Sequence, residues 1–232
     1  MTLPANYWPA LLADYVAAYQ AAFPTAGGAA ESLPTRNALI LACSVAEHET
    51  NNGRAWEGQN NFGAVQLRGL TLQERAAYDA GELKAGDYTA DRTGCLRIDT
   101  HPGPTGPIPY PEWFAAFATR PEGIAHFLRV LWRLSSSYAD EPDATPFGLA
   151  DAMYQRGYYE GAHHGARPVG NRNYPLSAAE QANVTDYANA IAHCMGFIGP
   201  ALETWDYGRD AAVTETVDPA RRDTDPAPPD AA

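Results

Sequence analysis

The sequence predicts a mainly α-helical fold of about six helices, with one small β-hairpin lobe and a flexible C-terminal tail. Apolar residues recur at helical spacing in six segments, capping patterns precede several of them, and alternating apolar and polar runs are few. A chain of 232 residues fits a single domain. We expect residues 1–217 to form that domain and the Pro-, Asp- and Ala-rich residues 218–232 to be disordered or extended.

Three helices are predicted in the first part of the chain. Apolar residues at helical spacing predict the first from Asn6 to Phe23. Pro34 suits a first helical turn and opens a second helix, which we expect to end at about Glu49. The capping-box pattern Thr71-Leu-Gln-Glu74 predicts a short third helix that ends near Ala80.

A β-hairpin and three further helices are predicted in the remainder. Cys95–Ile98 and Trp113–Phe117 read as short strands on either side of a loop crowded with Pro and Gly. Capping patterns then open helices that we expect to span residues 119–135, 145–157 and 177–196.

A carboxyl group lies at the end of the apolar side of the second helix. At about 100° per residue, Glu49 falls in the middle of the side that contains Leu41 and Val45. Glu47 points nearly the opposite way, so we expect it to be an ordinary surface residue. Partial burial disfavours the charged form of Glu49 and raises its pKa toward that of a general acid at neutral pH. The alternative is an acid that has simply reached solvent where the helix frays.

Three motifs occur in order along residues 38–195. The first is HETNNGR followed by NNFGAVQ, the second is PEWFAAFATRPEGIAHFLRVL, and the third is AMYQRGYYEG with Tyr187 after it. Together they resemble the lysozyme-like peptidoglycan hydrolases, in particular the N-acetylglucosaminidase type of autolysins, flagellar muramidases and phage lysins. In the first motif the matching positions are Glu49, Thr50, Gly53, Arg54, Asn60, Asn61, Phe62, Gly63 and Gln66.

The resemblance implies a glycoside hydrolase that cleaves the β-1,4-linked glycan strands of bacterial peptidoglycan without a cofactor. Such a reaction needs a protonated carboxyl group and a second group that stabilises the oxocarbenium-like state or activates water. Glu49 matches the first role. For the second we favour Asp99, with Asp91 and Glu112 as alternatives, and the N-acetyl group of the substrate can also do this work. The segment between Gly63 and Trp113 is longer and richer in Pro than the β lobe of the family, which leaves the second acid and the cleaved bond open.

The turn after the acid helix and a pair of tyrosines are the predicted substrate contacts. We expect Asn60, Asn61, Phe62 and Gln66 to bind substrate, because side-chain amides can hydrogen-bond the acetamido and hydroxyl groups of a sugar chain. A turn that uses Asn and Gly only for its backbone angles is the alternative. We expect Tyr158 and Tyr159 to stack on sugar rings, the alternative being that both pack in the core.

Composition argues against several other classes of function. A formal net charge of −12 without a basic stripe argues against a nucleic-acid partner. No run of about 18 apolar residues predicts a membrane span. Three cysteines without CxxC spacing predict neither a disulfide framework nor a zinc site, although one pair remains open. The adjacent His163 and His164 lack further ligands at metal-site spacing, so no metal is predicted.

Two hypotheses from different classes follow. The first is the peptidoglycan glycosidase, an N-acetylglucosaminidase, a muramidase or a lytic transglycosylase with the same acid. The second is a structural tail or injection-machine subunit, or a sugar-binding module, with an inactive lysozyme-like fold. The N-terminus lacks the pattern of a signal peptide, so we expect synthesis in the cytoplasm and delivery to the wall by a holin, a phage tail or injection machine, or lysis.

Overall fold

The computed structural model of the chain describes residues 7–23, 34–56, 59–101, 106, 108–135, 143–159 and 175–203. This part contains six α-helices, one short 3-10 helix at Arg54–Trp56 and one three-stranded antiparallel sheet, which confirms the predicted mainly α fold with a small β lobe. In chain order the elements are α1 (Tyr7–Ala22), α2 (Arg36–Thr50), β1 (Gln66–Gly69), α3 (Leu72–Asp79), β2 (Gly94–His101), β3 (Ile108–Ala115), α4 (Arg120–Ser135), α5 (Pro146–Gln155) and α6 (Ala178–Glu203).

Helix α2 lies at the centre of the helical core. Thr35 caps its first turn and accepts a hydrogen bond from the Ala38 N–H at 3.0 Å. Between Ala38 and Glu47 every side chain is buried except that of Ile40, which is half-buried. Helices α1 and α6 pack against α2, while α4 packs on α1 and α5 packs on α6. A helix that is covered on all sides in this way has no solvent face along this stretch.

The β lobe is a hairpin of β2 and β3 to which β1 adds a third strand. The strand order is β1-β3-β2, so β3 is central. The hairpin was expected in this region, but both of its strands are longer than the predicted segments. Strand β1 was not predicted, because its four side chains are all exposed and carry no alternating pattern. The Ala115 N–H donates to the Val65 carbonyl oxygen at 2.9 Å, which ties the sheet to the turn that precedes β1.

The last helix is longer than the sequence pattern indicated. We expected it to close at Gly196, but α6 continues to Glu203 with Pro200 inside it. A glycine within a helix costs only about 1 kcal/mol relative to alanine. Ile198 is fully buried beyond Gly196, and burial of its side chain offsets that cost. The predicted tail at residues 218–232 lies outside the described residues.

A close backbone contact between α4 and the turn before β1 predicts a strong effect at one glycine. A Cβ atom on Gly123 would lie 1.8 Å from the Asn60 carbonyl oxygen. We expect Gly123→Ala to lower the free energy of unfolding by about 1–3 kcal/mol, the usual cost of overpacking, as measured by urea denaturation.

Gly196→Ala is the matched control, because Gly196 lies inside α6 and a Cβ atom added there would meet no neighbouring side chain within 4 Å among the described residues. That change should raise stability by about 0.5–1 kcal/mol. Equal stability of the two variants would contradict the contact between α4 and Asn60.

Candidate functional site

Three successive residues with left-handed backbone end helix α2 just after Glu49. Asn51, Asn52 and Gly53 have φ values of 51°, 51° and 79°. The Asn51 N–H donates to the carbonyl oxygens of Ala46 and Glu47 as the C-cap. This conformation is costly for most residues and is tolerated best by Gly and Asn, which explains the local sequence. The chain is thereby turned back across the end of α2.

Glu49 carries the most perturbed carboxyl group near this turn. Its side chain is partly buried, and burial raises the pKa of its carboxyl group to about 7. The Tyr187 hydroxyl of α6 donates a hydrogen bond to Oε1 of Glu49, which opposes the rise in pKa but does not cancel it. Among the described residues no Lys or Arg forms an ion pair with Glu49. The group can therefore hold a proton at neutral pH.

Three tyrosines surround this carboxyl group. The rings of Tyr159 and Tyr187 are stacked, with centroids 4.0 Å apart and planes 11° apart. Burial and the negative charge of Glu49 raise the pKa of Tyr158, Tyr159 and Tyr187, which agrees with their position close to the carboxylate. The exposed His48 ring meets Tyr187 edge-on, with centroids 5.0 Å apart. The site is thus an acid with an aromatic wall.

Tyr158 and Tyr159 belong to this wall, and their hydroxyl groups also stabilise the fold through hydrogen bonds to the backbone. The Tyr158 hydroxyl donates to the Gly63 carbonyl oxygen at 2.8 Å, and the Tyr159 hydroxyl donates to the Ala150 carbonyl oxygen at 3.0 Å. Both side chains are half-buried, so their predicted contact with a glycan concerns only their exposed edges. Tyr187 was noted in the sequence only as following the third motif. Its contact with Glu49 depends on how α6 packs on α2, and no local pattern reports that packing.

The predicted substrate contacts in the turn divide into two groups. Asn61 is fully buried, and its amide holds the backbone of Val65 and Ala115. Phe62 is 1% exposed and packs in the core, with its ring edge-on to Tyr15. The prediction that these two residues contact a substrate is therefore corrected, because neither side chain reaches solvent. Their polar and apolar atoms are used to fold the turn.

Asn60 and Gln66 remain accessible. The Asn60 amide donates to the Phe117 carbonyl oxygen at 2.9 Å, and its side chain is half-buried. Gln66 is exposed at the start of β1. The Thr50 hydroxyl, next to Glu49, donates to the Phe62 carbonyl oxygen at 3.0 Å, which places this turn beside the acid. Substrate binding by Asn60 and Gln66 stays a prediction.

Asp99 is not among the groups that shift the pKa of Glu49. Asp99 is exposed on β2 opposite Tyr110, whereas Gly94 and Ala115 pair at the end of the sheet that joins the turn. The separation along β2 from Gly94 to Asp99 is about 16 Å.

The other two candidates for the second acid are also engaged elsewhere. Oδ1 of Asp91 accepts hydrogen bonds from Thr89 and Thr93 in the loop before β2. Glu112 is buried in β3, where its backbone lies opposite that of Arg97 in the register of β2 and β3. No second carboxylate contributes to the raised pKa of Glu49 among the residues that the structure describes.

Glu47 is buried, so the prediction that it is an ordinary surface residue is wrong. Its side chain is 9% exposed, Oε1 lies 2.6 Å from Nη2 of Arg54, and Oε2 accepts from Nδ2 of Asn52 at 2.7 Å. Oδ1 of Asn52 in turn accepts from the Tyr15 hydroxyl at 2.8 Å. The helical-wheel argument failed because α2 has no solvent side between Ala38 and Glu47. A carboxyl group in such a position requires a cation and hydrogen-bond donors.

The network around Glu47 predicts different effects at two neighbouring asparagines. Asn51→Ala should lower the free energy of unfolding by about 1–2 kcal/mol, because Ala adopts a left-handed backbone less readily than Asn does. Asn52→Ala carries the same backbone cost and also removes one hydrogen bond from Glu47, which keeps its ion pair with Arg54, and one from the Tyr15 hydroxyl. Its loss of stability should therefore exceed that of Asn51→Ala by about 1–3 kcal/mol. Urea denaturation of both variants measures the difference, and equal losses would show that the buried hydrogen bonds contribute nothing.

The raised pKa of Glu49 predicts how stability depends on pH. The folded state keeps its proton up to about pH 7, whereas the unfolded state loses it near 4.5, so folding becomes less favourable as pH rises between these values. Glu49→Gln removes this loss. We expect its stability relative to the parent to grow between pH 5 and 8 by at most about 3 kcal/mol.

Thermal unfolding of both proteins at a series of pH values measures this change. A constant difference across the series would mean that the pKa of Glu49 is ordinary in the folded state.

Other predicted features have limited bearing on this site. His163 and His164 lie outside the described residues, and the residues that are described contain no group of three or more His, Cys, Asp or Glu able to hold a metal ion. Cys43, Cys95 and Cys194 are buried free thiols, so none of the three pairs. Of the described helices, none has the length and apolar character needed to cross a membrane. Comparisons with protein-family models, curated proteins and solved structures give no match to this chain.

Proposed function

We propose that this chain is a glycoside hydrolase that cleaves the β-1,4-linked glycan strands of bacterial peptidoglycan, with Glu49 as the general acid. The observation that carries the proposal is the desolvated carboxyl group of Glu49 at the end of the central helix, with a pKa of about 7. A carboxylic acid that is protonated near neutral pH can donate to the oxygen of a glycosidic bond. The class of substrate comes from the resemblance of the three motifs.

Tyr187 orients the acid in this proposal. Because its hydroxyl donates to Oε1 of Glu49, that oxygen is already used as an acceptor. The proton of the neutral acid therefore belongs on Oε2, which can then donate to the leaving oxygen. The stack on Tyr159 holds the Tyr187 ring in place. Tyr187 is a positioning residue for the reaction.

The N-acetyl group of the substrate supplies the second role. No second carboxylate influences Glu49 within the described part of the chain. The acetamido oxygen attacks the anomeric carbon while the glycosidic C–O bond breaks and Glu49 gives its proton to the leaving oxygen. Water then opens the cyclic intermediate and returns a proton to Glu49. Retaining mechanisms assisted by the substrate in this way are known among glycosidases.

Delivery to the wall belongs to the proposal as well. The formal net charge of −12 disfavours loose attachment to anionic wall polymers. A phage tail, an injection machine or lysis of the producing cell would therefore bring the protein to its substrate. Mass spectrometry of the reaction products identifies the bond, since the fragments end in N-acetylglucosamine, muramic acid or anhydro-muramic acid.

Glu49→Gln tests the proposed acid. The change removes the transferable proton at nearly constant size, so the rate at which purified walls lose turbidity should fall by about 10²-fold or more. The rate of the parent should also fall as pH rises through about 7, because the acid acts only when protonated.

Asp186→Asn is the matched control, because Asp186 is exposed on α6 beside Tyr187 and its replacement makes the same change from a carboxyl to an amide group. Clearing by Glu49→Gln at the parental rate would refute the assignment. No clearing by the parent over the whole pH range would instead favour a scaffold or sugar-binding module.

A further inference from the structure

A concave site lies in the β lobe, and its lining includes neither Glu49 nor the three tyrosines beside it. It is a groove between α3, β1 and the loop before β2, which we call the α3 groove, and its volume is about 930 Å³. Leu67, Ala77, Leu83 and Trp113 supply much of its apolar lining. This volume falls within the range of about 300–1,000 Å³ that is usual for ligand sites.

The charges that line the groove are predominantly negative. Arg68 is the only cation among its lining residues, and both of its terminal nitrogens lie 2.7 Å from the carboxylate of Glu74. Arg68 interacts only at longer range with Asp91, so Glu82 and Asp91 form no ion pair with the cation of the lining. Both are exposed, so a positively charged ligand group would find two acceptors at the rim.

Local hydrogen bonds fix the orientation of the Asp91 carboxylate. Its Oδ1 receives the hydroxyl groups of Thr89 and Thr93 and the Thr93 N–H, at 2.6–3.1 Å. These hydrogen bonds fix the carboxylate and lower its pKa. Oδ2 can then accept from a ligand.

A buried donor in the wall points to a ligand with a carbonyl group. Trp113 is 2% exposed, and its indole N–H has no hydrogen-bond partner among the described residues. The Arg68 guanidinium lies over the same ring, 5.8 Å from its centroid. A buried unpaired donor is costly, and a ligand carbonyl that reached it when Arg68 shifts would remove that cost.

We propose that the α3 groove binds a short peptide that carries a free ammonium group. The apolar walls receive its small side chains, Glu82 and Asp91 bind the ammonium group, and Trp113 donates to a peptide carbonyl. This inference rests on the proposed function for the identity of the peptide, which is then the peptide stem attached to the same glycan strands. The acid at Glu49 would act on the sugar chain while the groove holds the stem.

The test uses a sugar-free stem peptide, N-acetyl-L-alanyl-D-isoglutaminyl-L-lysyl-D-alaninamide, titrated into the intact protein in a calorimeter. Acetylation of the lysine amino group should weaken binding by roughly threefold to fivefold, as expected for loss of an exposed charge pair. Ala77→Phe fills the groove and should weaken binding by about tenfold or more, equivalent to about 1.4 kcal/mol.

Ala76→Phe is the matched control, because Ala76 is exposed on the same helix and does not line the groove. It should bind the peptide like the parent. A second pair of variants separates charge from shape: Glu82→Gln should weaken binding, whereas Asp79→Asn on the exposed side of α3 should not. Equal binding by the Ala76 and Ala77 variants, equal binding of the acetylated peptide, or no binding at millimolar peptide would overturn the proposal.

The proposal for the α3 groove and the proposal for Glu49 can be refuted independently. Glu49→Gln should bind the peptide with the affinity of the parent, and Ala77→Phe should cleave glycan strands stripped of their peptides at the parental rate. Peptide binding by a parent that cleaves no glycan would refute the glycosidase and keep the groove as a peptide site. Loss of glycan cleavage in Ala77→Phe but not in Ala76→Phe would show that the groove belongs to the site at Glu49 and is not a separate one.

Discussion

The site depends on the burial of α2 between Ala38 and Glu47, because its last turn then places two carboxyl groups at the end of a largely apolar interior. The structure treats them differently. Glu47 is paired with Arg54 and bonded to Asn52, so its charge is compensated. Glu49 has only the Tyr187 hydroxyl as a partner among the described residues, and the uncompensated cost of its charge appears as a raised pKa. The same desolvation therefore yields one structural and one chemically available acid.

Side-chain hydrogen bonds hold the turn that follows against the end of α2. Asn52 links Glu47 to Tyr15 of α1, and Thr50 bonds the Phe62 carbonyl, so the left-handed residues are held from both sides. Gly63 lies against Phe127 and Tyr158, where a Cβ atom would be 2.4 Å from the Phe127 ring. Many of the Asn and Gly residues of the motif thus serve the backbone. The alternative in which this turn uses Asn for its backbone angles applies to Asn60, whose φ is 50°, while Asn61 holds the turn through its side-chain hydrogen bonds. Of the four predicted contacts in the turn, only the side chains of Asn60 and Gln66 remain accessible to a ligand.

The β lobe carries a groove whose lining includes neither Glu49 nor the tyrosines beside it. Its sheet joins the turn at Ala115, while Asp99 lies farther along β2. What the lobe adds beside β1 is an apolar groove with acidic groups at its rim. A polymer that combines sugar rings with short peptides would present a partner for each of these surfaces.

The sequence by itself determined the helix count, the position of the hairpin and the raised pKa of Glu49, because these depend on periodicity, capping and spacing within one segment. Only the tertiary structure decided the rest of the site. Glu47 was misassigned since a helical wheel assumes a solvent side, and α2 has none between Ala38 and Glu47. Tyr187 reaches Glu49 across 138 positions of sequence, and Asn61 reaches Ala115 across 54. Contacts between such distant residues are set by how whole helices and strands pack, and no local pattern of residues encodes them.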